Sequence, residues 1–350
     1  MKFILQIKIL LILLCSTSFT FAQNTQNVSI IFDSDFGMPP TDDSLALMLA
    51  IQSPEIDILG ITTVAGNKSL KQGTADVLRM LEIIKRTDIP VFEGVNLPLK
   101  HRVSDFAIRE YGSWYSDNDP SEPFGGFAKK KIETISAAEF INKEVSANPG
   151  EITIVALGPL TNIATAIQDN PKLSKKIKKI FIMGGAIASL PDGAGNITPN
   201  AEYNFWVDPE AAKIVLHSGI PIELSPLNVS RKSAFNKKYY EKIIEFKSPL
   251  TELIKLSLGP RFAEDPDKKF LMYDQITIAS IIDPLIVKSK RMFVDVNDNN
   301  GISYGVSIGG FKKWPGAEEA QLIDVQYDLD WPRFIEIYVE RLRRPLSNQF

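Results

Sequence analysis

Apolar, β-branched runs alternate with helix-period segments along most of the chain. VSIIF at 28–32 precedes the helical stretch DDSLALMLAIQ at 42–52; IDILGITTV at 56–64 precedes a helix from about Ser69 to Ile84. PVF at 90–92, ITIVAL at 152–157, a TNIATAI helix, IKKIFIM at 177–183, a DPEAAKIVLH helix and IPIEL at 220–224 continue the alternation. Strands that are apolar throughout, with no in/out alternation, are covered by helices on both faces. The pattern therefore predicts an α/β protein built on an open, mostly parallel, doubly wound (Rossmann-like) sheet. Beyond residue 285, MFVDV, ISYGVSI and AQLIDVQYDL read as three more strands before a final helix from about Trp331 to Arg343. Stretches 94–128, 186–201 and 228–237 read as loops, two of them conspicuously rich in Gly, Pro, Ser or Asp. In such sheets ligands collect where loops follow the carboxyl ends of strands, so residues there carry the chemical interest.

The first 22 residues depart from this pattern. Lys2 and Lys8, an apolar run from Ile9 to Leu14, and small or polar residues ending at Ala22 make the tripartite outline of a secretory signal peptide. The run is too short for a permanent membrane span. Residues 23–350 are then expected as one exported domain, periplasmic or extracellular, with no stable membrane anchor. Cys15, the only cysteine, falls in the leader. The chain is 44% hydrophobic and 23% charged with a net charge of −3, a globular balance without the basic stripe that a nucleic-acid partner would require. Two histidines, His101 and His217, are too few for a zinc finger or a Cys-His nucleophile pair. Chemistry here runs on carboxylates.

The most informative segment is IIFDSDFGMPPTDDSLAL. Asp33, Asp35, Asp42 and Asp43 fall between the end of the first strand and the start of the first helix. Capping and turn formation account for one or two acids at such a junction, not for four. Crowded, buried carboxylates repel one another unless a cation or raised pKa values relieve them. An all-oxygen ligand set favours a hard divalent ion, with Ca²⁺ the first choice. An EF-hand is excluded, because Phe36, Gly37 and Met38 occupy positions that its loop needs acidic or glycine. A haloacid dehalogenase-type phosphatase also begins with a strand and Asp-x-Asp, but Gly37 stands where its hydroxyl is usual, and Asp42 and Asp43 would have no role.

Further segments share the pattern of one known family. ITTVAGN at 61–67, LGPLTNIATAI at 157–167, IMGGA at 182–186, GNITPNAEYNFWVDPEAA at 195–212 and MYDQITIASIIDP at 272–284 follow the aspartate motif in order. Together they resemble the inosine-uridine preferring nucleoside hydrolases across most of residues 23–350. The resemblance implies a single domain of that type which cleaves the N-glycosidic bond of ribonucleosides to ribose and free base, in purine or pyrimidine salvage. It implies Asp35, Asp43 and Asp274 as calcium ligands, with the backbone carbonyl of Leu157. A water in the ion's shell would lose its proton to Asp35 and attack C1′. Asp42, Asn67, Asn196, Glu202 and Asn204 match positions that hydrogen-bond ribose hydroxyls, Met183 packs a thioether on the sugar, and Asp33 supports the cluster from behind. Homodimers or homotetramers are implied as well. Asp208, before Pro209, reads as a helix cap.

Two departures stand out. Six residues, FGMPPT, separate Asp35 from Asp42, where the short family motif has three, which bears on calcium affinity. Tyr273 replaces the histidine that some members place before the last calcium aspartate, and Tyr111-Gly112 replaces a His-Gly. Leaving-group activation then falls to aromatic stacking by Tyr273 with Trp114 or Tyr115, and Trp206 as a weaker candidate. A mild purine preference follows, from the larger stacking face. The missing histidines also support an alternative: an exported nucleoside- or sugar-binding protein without catalysis.

Overall fold

A computed structural model describes residues 27–100, 104–111 and 115–346. The expected leader with Cys15, His101, Gly112 and the stacking candidate Trp114 lie outside the described residues.

Nine strands form one sheet in the order β10-β9-β11-β6-β5-β4-β1-β2-β3. They are β1 (Val28–Ser34), β2 (Ile56–Thr63), β3 (Val91–Glu93), β4 (Thr153–Ala156), β5 (Lys179–Met183), β6 (Ile222–Ser225), β9 (Val287–Val296), β10 (Ser307–Gly310) and β11 (Gln321–Leu329). A separate two-stranded ribbon pairs β7 (Phe235–Asn236) with β8 (Lys269–Phe270). β3 to β6 and β11 run parallel through β2, β1, β4 and β5, and β9 pairs antiparallel with both β11 and β10. The expected open, mostly parallel, doubly wound α/β sheet is what forms.

Both faces of the central strands are buried, which is why their sequences lack polar alternation. In β1, Ile30 and Phe32 pack into one core with the helices Asp42–Ile51, Asp274–Ile282 and Trp331–Leu342. Ile31 points the other way, into a second core with the helices Ala137–Ala147, Thr161–Asp169 and Pro209–Leu216. The chain leaves β1 toward β2 and β3 on one side, then returns to β4, β5 and β6 on the other. β1 and β4 are therefore the switch point, and a crevice opens beyond their carboxyl ends.

Three local readings need correction. The stretch 94–128 contains a helix, Asp105–Tyr111, whose acidic first turn and basic last turn suit the helix dipole. The stretch 228–237 includes the end of a short helix, Leu227–Ser230, and strand β7. ISYGVSI is strand only from Ser307, because Gly305 takes a positive φ of 76° with Trp206 packed against its α-carbon. No described helix is long and apolar enough to cross a membrane.

Candidate active site

β1 ends at Ser34, so Asp33 and Asp35 do not share surroundings as a continued strand would have given them. Asp33 Oδ2 accepts from Thr62 Oγ1 at 2.6 Å and from Asn162 Nδ2 at 2.8 Å. Burial pushes its carboxyl up to about 6 despite those bonds. Asn162 also donates to the Thr63 carbonyl and accepts from the Val95 amide, tying β1, β2 and the loop after β3 together. Asp35, fully buried, accepts from the Asn67 amide at 2.5 Å through Oδ2. Its Oδ1 finds no donor among the described residues. Glycines wall it in: a Cβ on Gly66 would lie 2.1 Å from Asp35 Oδ2, and one on Gly158 2.9 Å from Oδ1.

The long FGMPPT connection is anchored rather than loose. Phe36 is completely buried, the Met38 amide donates to Asp76 at 2.9 Å, Ser44 Oγ donates to the Gly37 carbonyl, and Ser257 Oγ donates to that of Pro40. These contacts deliver Asp42 and Asp43 into the first turn of the helix Asp42–Ile51, where the dipole favours anions. Ser34 Oγ holds Asp43 Oδ1 at 2.7 Å, and Asn67 Nδ2 reaches Oδ2 at 3.3 Å.

Packed beside the helix Asp42–Ile51 in the same core, the helix Asp274–Ile282 brings Asp274 to the same point. Carboxylate oxygens of Asp42, Asp43 and Asp274 lie within 4.8 Å of one another. This trio differs by one residue from the set that the sequence resemblance implies: Asp42 takes part, while Asp35 stands against Asp43. Desolvation, then the Asp43 charge, pushes Asp42 up to about 7. Asp35 is raised well above the usual carboxylate range, first by burial and then by Asp43; Asp274 is raised likewise by burial and by Asp42 and Asp43. Convergent oxygens, like-charge repulsion and the donorless Oδ1 of Asp35 fit a hard divalent cation. The residues that would hold it are Asp42, Asp43, Asp274 and Asp35, with the nearby Leu157 carbonyl.

A cavity of about 390 Å³ opens over this cluster. Asp42, Asp274, Asn67, Leu157, Met183 and Asn196 line it, joined by Glu202, Asn204 and Tyr273. All the expected ribose contacts are therefore gathered in one place, though several are committed elsewhere. Both oxygens of Glu202 cap the helix Tyr203–Val207, Oε1 accepting from the Asn204 amide and Oε2 from those of Phe205 and Gly185. Asn204 Nδ2 donates to the carbonyls of Leu157 at 2.8 Å and Met183 at 3.2 Å, clamping the ends of β4 and β5. Asn196 Oδ1 accepts from the Tyr203 amide at 2.9 Å. Asp208 is a cap, as expected: it accepts from Ala211, Thr161 and Leu99.

Among the leaving-group candidates, Tyr273 lines the cavity, whereas Tyr115 does not; its hydroxyl is directed at the Val207 carbonyl, 3.5 Å away. Ile197 and Tyr203 also line the cavity and were not singled out in the sequence. Tyr203 donates to the Gly66 carbonyl at 3.0 Å, bracing the glycine beside Asp35. Its place inside the AEYN block was the available signal. Ser34 and Asn162 were likewise overlooked, although both lie within the quoted motifs.

Fold and site together define an α/β protein with a polar, carboxylate-rich cavity beyond the carboxyl ends of its strands. Residues 30–336 match the family model described as inosine-uridine preferring nucleoside hydrolase, and the chain belongs to that family. A pyrimidine-specific ribonucleoside hydrolase from Citrobacter koseri is 34% identical over 319 residues, covering 89% of this chain and 97% of the relative. Uridine nucleosidase 1 of Arabidopsis thaliana is 35% identical over 328 residues, covering 90% and 93%. Among solved structures, a plant nucleoside hydrolase superposes with a TM-score of 0.76 at 30% identity, covering 91% of this chain and 99% of that one. An inosine-guanosine nucleoside hydrolase gives 0.73 at 26% identity, covering 91% and 99%. The expected N-glycosyl hydrolase class therefore stands, and the phosphatase reading falls.

Proposed function

We propose that the chain is an exported, calcium-dependent ribonucleoside hydrolase. The observation that carries this reading is the convergence of Asp42, Asp43 and Asp274 within 4.8 Å beneath a cavity lined by amides and carboxylates. A polar pocket of this kind satisfies the donors and acceptors of a sugar at once. Calcium, when bound, would orient the sugar diol and acidify a water. Asp35 accepts the proton of the attacking water, its Oδ1 being the oxygen left without a donor. Carboxylates beneath the sugar stabilise positive charge developing at C1′. Asn204 and Glu202 hold the ends of β4 and β5 and the loop after them, keeping Leu157 and Met183 in place.

The purine preference expected from stacking is not supported by the two named sequence relatives, which are called pyrimidine-specific and uridine nucleosidase. Uridine is accordingly the first substrate to try. Export rests on the leader alone.

Purified protein supplied with calcium and offered uridine, cytidine, inosine, adenosine and guanosine should release reducing sugar from uridine, and a chelator should abolish release. Tight nucleoside binding with no sugar released would establish the non-catalytic alternative instead.

A further inference from the structure

A second cavity, of about 420 Å³, meets the sugar cavity at Asp42 and Tyr273, which line both. Its lining is more apolar, although Thr41, Asp42, Lys269 and Gln275 also belong to it. Phe235, Leu258, Phe270, Met272 and Tyr338 give it an apolar, largely aromatic wall suited to a flat heterocycle rather than to a sugar. At its exposed mouth stands Arg261, whose guanidinium lies 5.7 Å from the centroid of the Phe270 ring. No acid forms an ion pair with Arg261 among the described residues, although the neighbouring cavity is crowded with carboxylates.

That juxtaposition answers a problem the site itself creates. When the C1′–N bond breaks, its electron pair leaves on the base, and the acids that stabilise the sugar cation repel the departing anion. Among the described residues no histidine is placed to protonate it: His217 pairs with Asp295, at 3.1 Å. Resting on the hydrolase reading above, we propose that the aromatic cavity receives the base and that Arg261 stabilises the departing heterocyclic anion. In a pyrimidine the charge spreads onto the exocyclic oxygens, which are acceptors matched to guanidinium N–H donors. Arg261 gives up no proton. The water oxygen bonds to C1′, its proton goes to Asp35, and the base anion takes a proton from solvent, so ribose and neutral base result.

The test varies how much help the leaving group needs. Arg261→Met in the calcium-loaded protein should slow kcat for uridine about tenfold, slow 5-fluorouridine less, and change p-nitrophenyl β-riboside by less than about twofold, since nitrophenolate leaves unaided. Arg261→Lys, which retains the charge, should recover part of the loss on uridine. An equal loss on all three substrates, or no loss on uridine, overturns the assignment. If the unaltered protein cleaves neither the nucleosides nor the riboside, the hydrolase reading fails, and this one with it.

Discussion

Two groups of buried acids share the rim of the sheet and behave in opposite ways. Glu202 and Asp208 direct their oxygens to backbone amides and a hydroxyl, so each is a satisfied cap. Asp35, Asp42, Asp43 and Asp274 face mainly one another; burial pushes the carboxyls of both groups upward, and in Asp35, Asp42 and Asp274 the other acids of the cluster push further. Apart from half-buried Asp42, burial is similar; what differs is whether donors surround the charge. A buried carboxylate with three N–H or O–H donors consolidates a fold, whereas four that share too few donors store repulsion that a cation relieves.

The largest expected contrast is catalytic. Asp35→Asn should lower turnover by about 10³-fold or more, read by reducing-sugar release, while the protein in chelator unfolds at a temperature no lower than the unaltered chain. Loss of folding in that variant would place Asp35 with the caps. Next, Asp208→Ala removes a cap and leaves the Leu99 amide and Thr161 hydroxyl unsatisfied, so urea denaturation should show a loss of about 3 kcal/mol. A change within experimental error would erase the distinction between the groups.

The smallest effect sharpens the comparison through pH. Asp33 at about 6 and Asp42 at about 7 both lie above the ordinary 3.8. Between these values the folded chain binds more protons than the unfolded one. The stability they contribute is complete below about pH 4 and is lost as pH rises through 6 and 7. Thermal unfolding in chelator should therefore occur at falling temperature from pH 5 to pH 8, and added calcium should flatten or reverse the slope. A chelated protein that grows more stable over this range contradicts the directions given.

Much of this arrangement was legible in the chain. Continuous apolar strands such as VSIIF and ITIVAL announced a sheet covered on both faces, and the four acids after the first strand announced the cluster. Distant Asp274 entered through the family resemblance, because no local pattern says that a helix 231 residues after Asp43 returns to the same point. What stayed hidden depends on direction rather than identity. Glu202 also caps a helix and Asn204 also clamps two strand ends, roles that were not legible because a polar side chain in a motif does not reveal which way its atoms point. Asp42 and Asp43 are adjacent, and only the docking of FGMPPT against Asp76 and Ser257 shows that both reach Asp274. Tyr203 escaped notice because its partner is a backbone carbonyl 137 residues away.

Calorimetric titration of the metal-free protein with calcium tests the central claim most directly. The account predicts one ion bound per chain, with binding abolished or weakened by at least about tenfold in Asp274→Asn, since that ligand alone comes from the helix Asp274–Ile282. Calcium binding that Asp274→Asn leaves unchanged, or no binding by the unaltered protein, would contradict it.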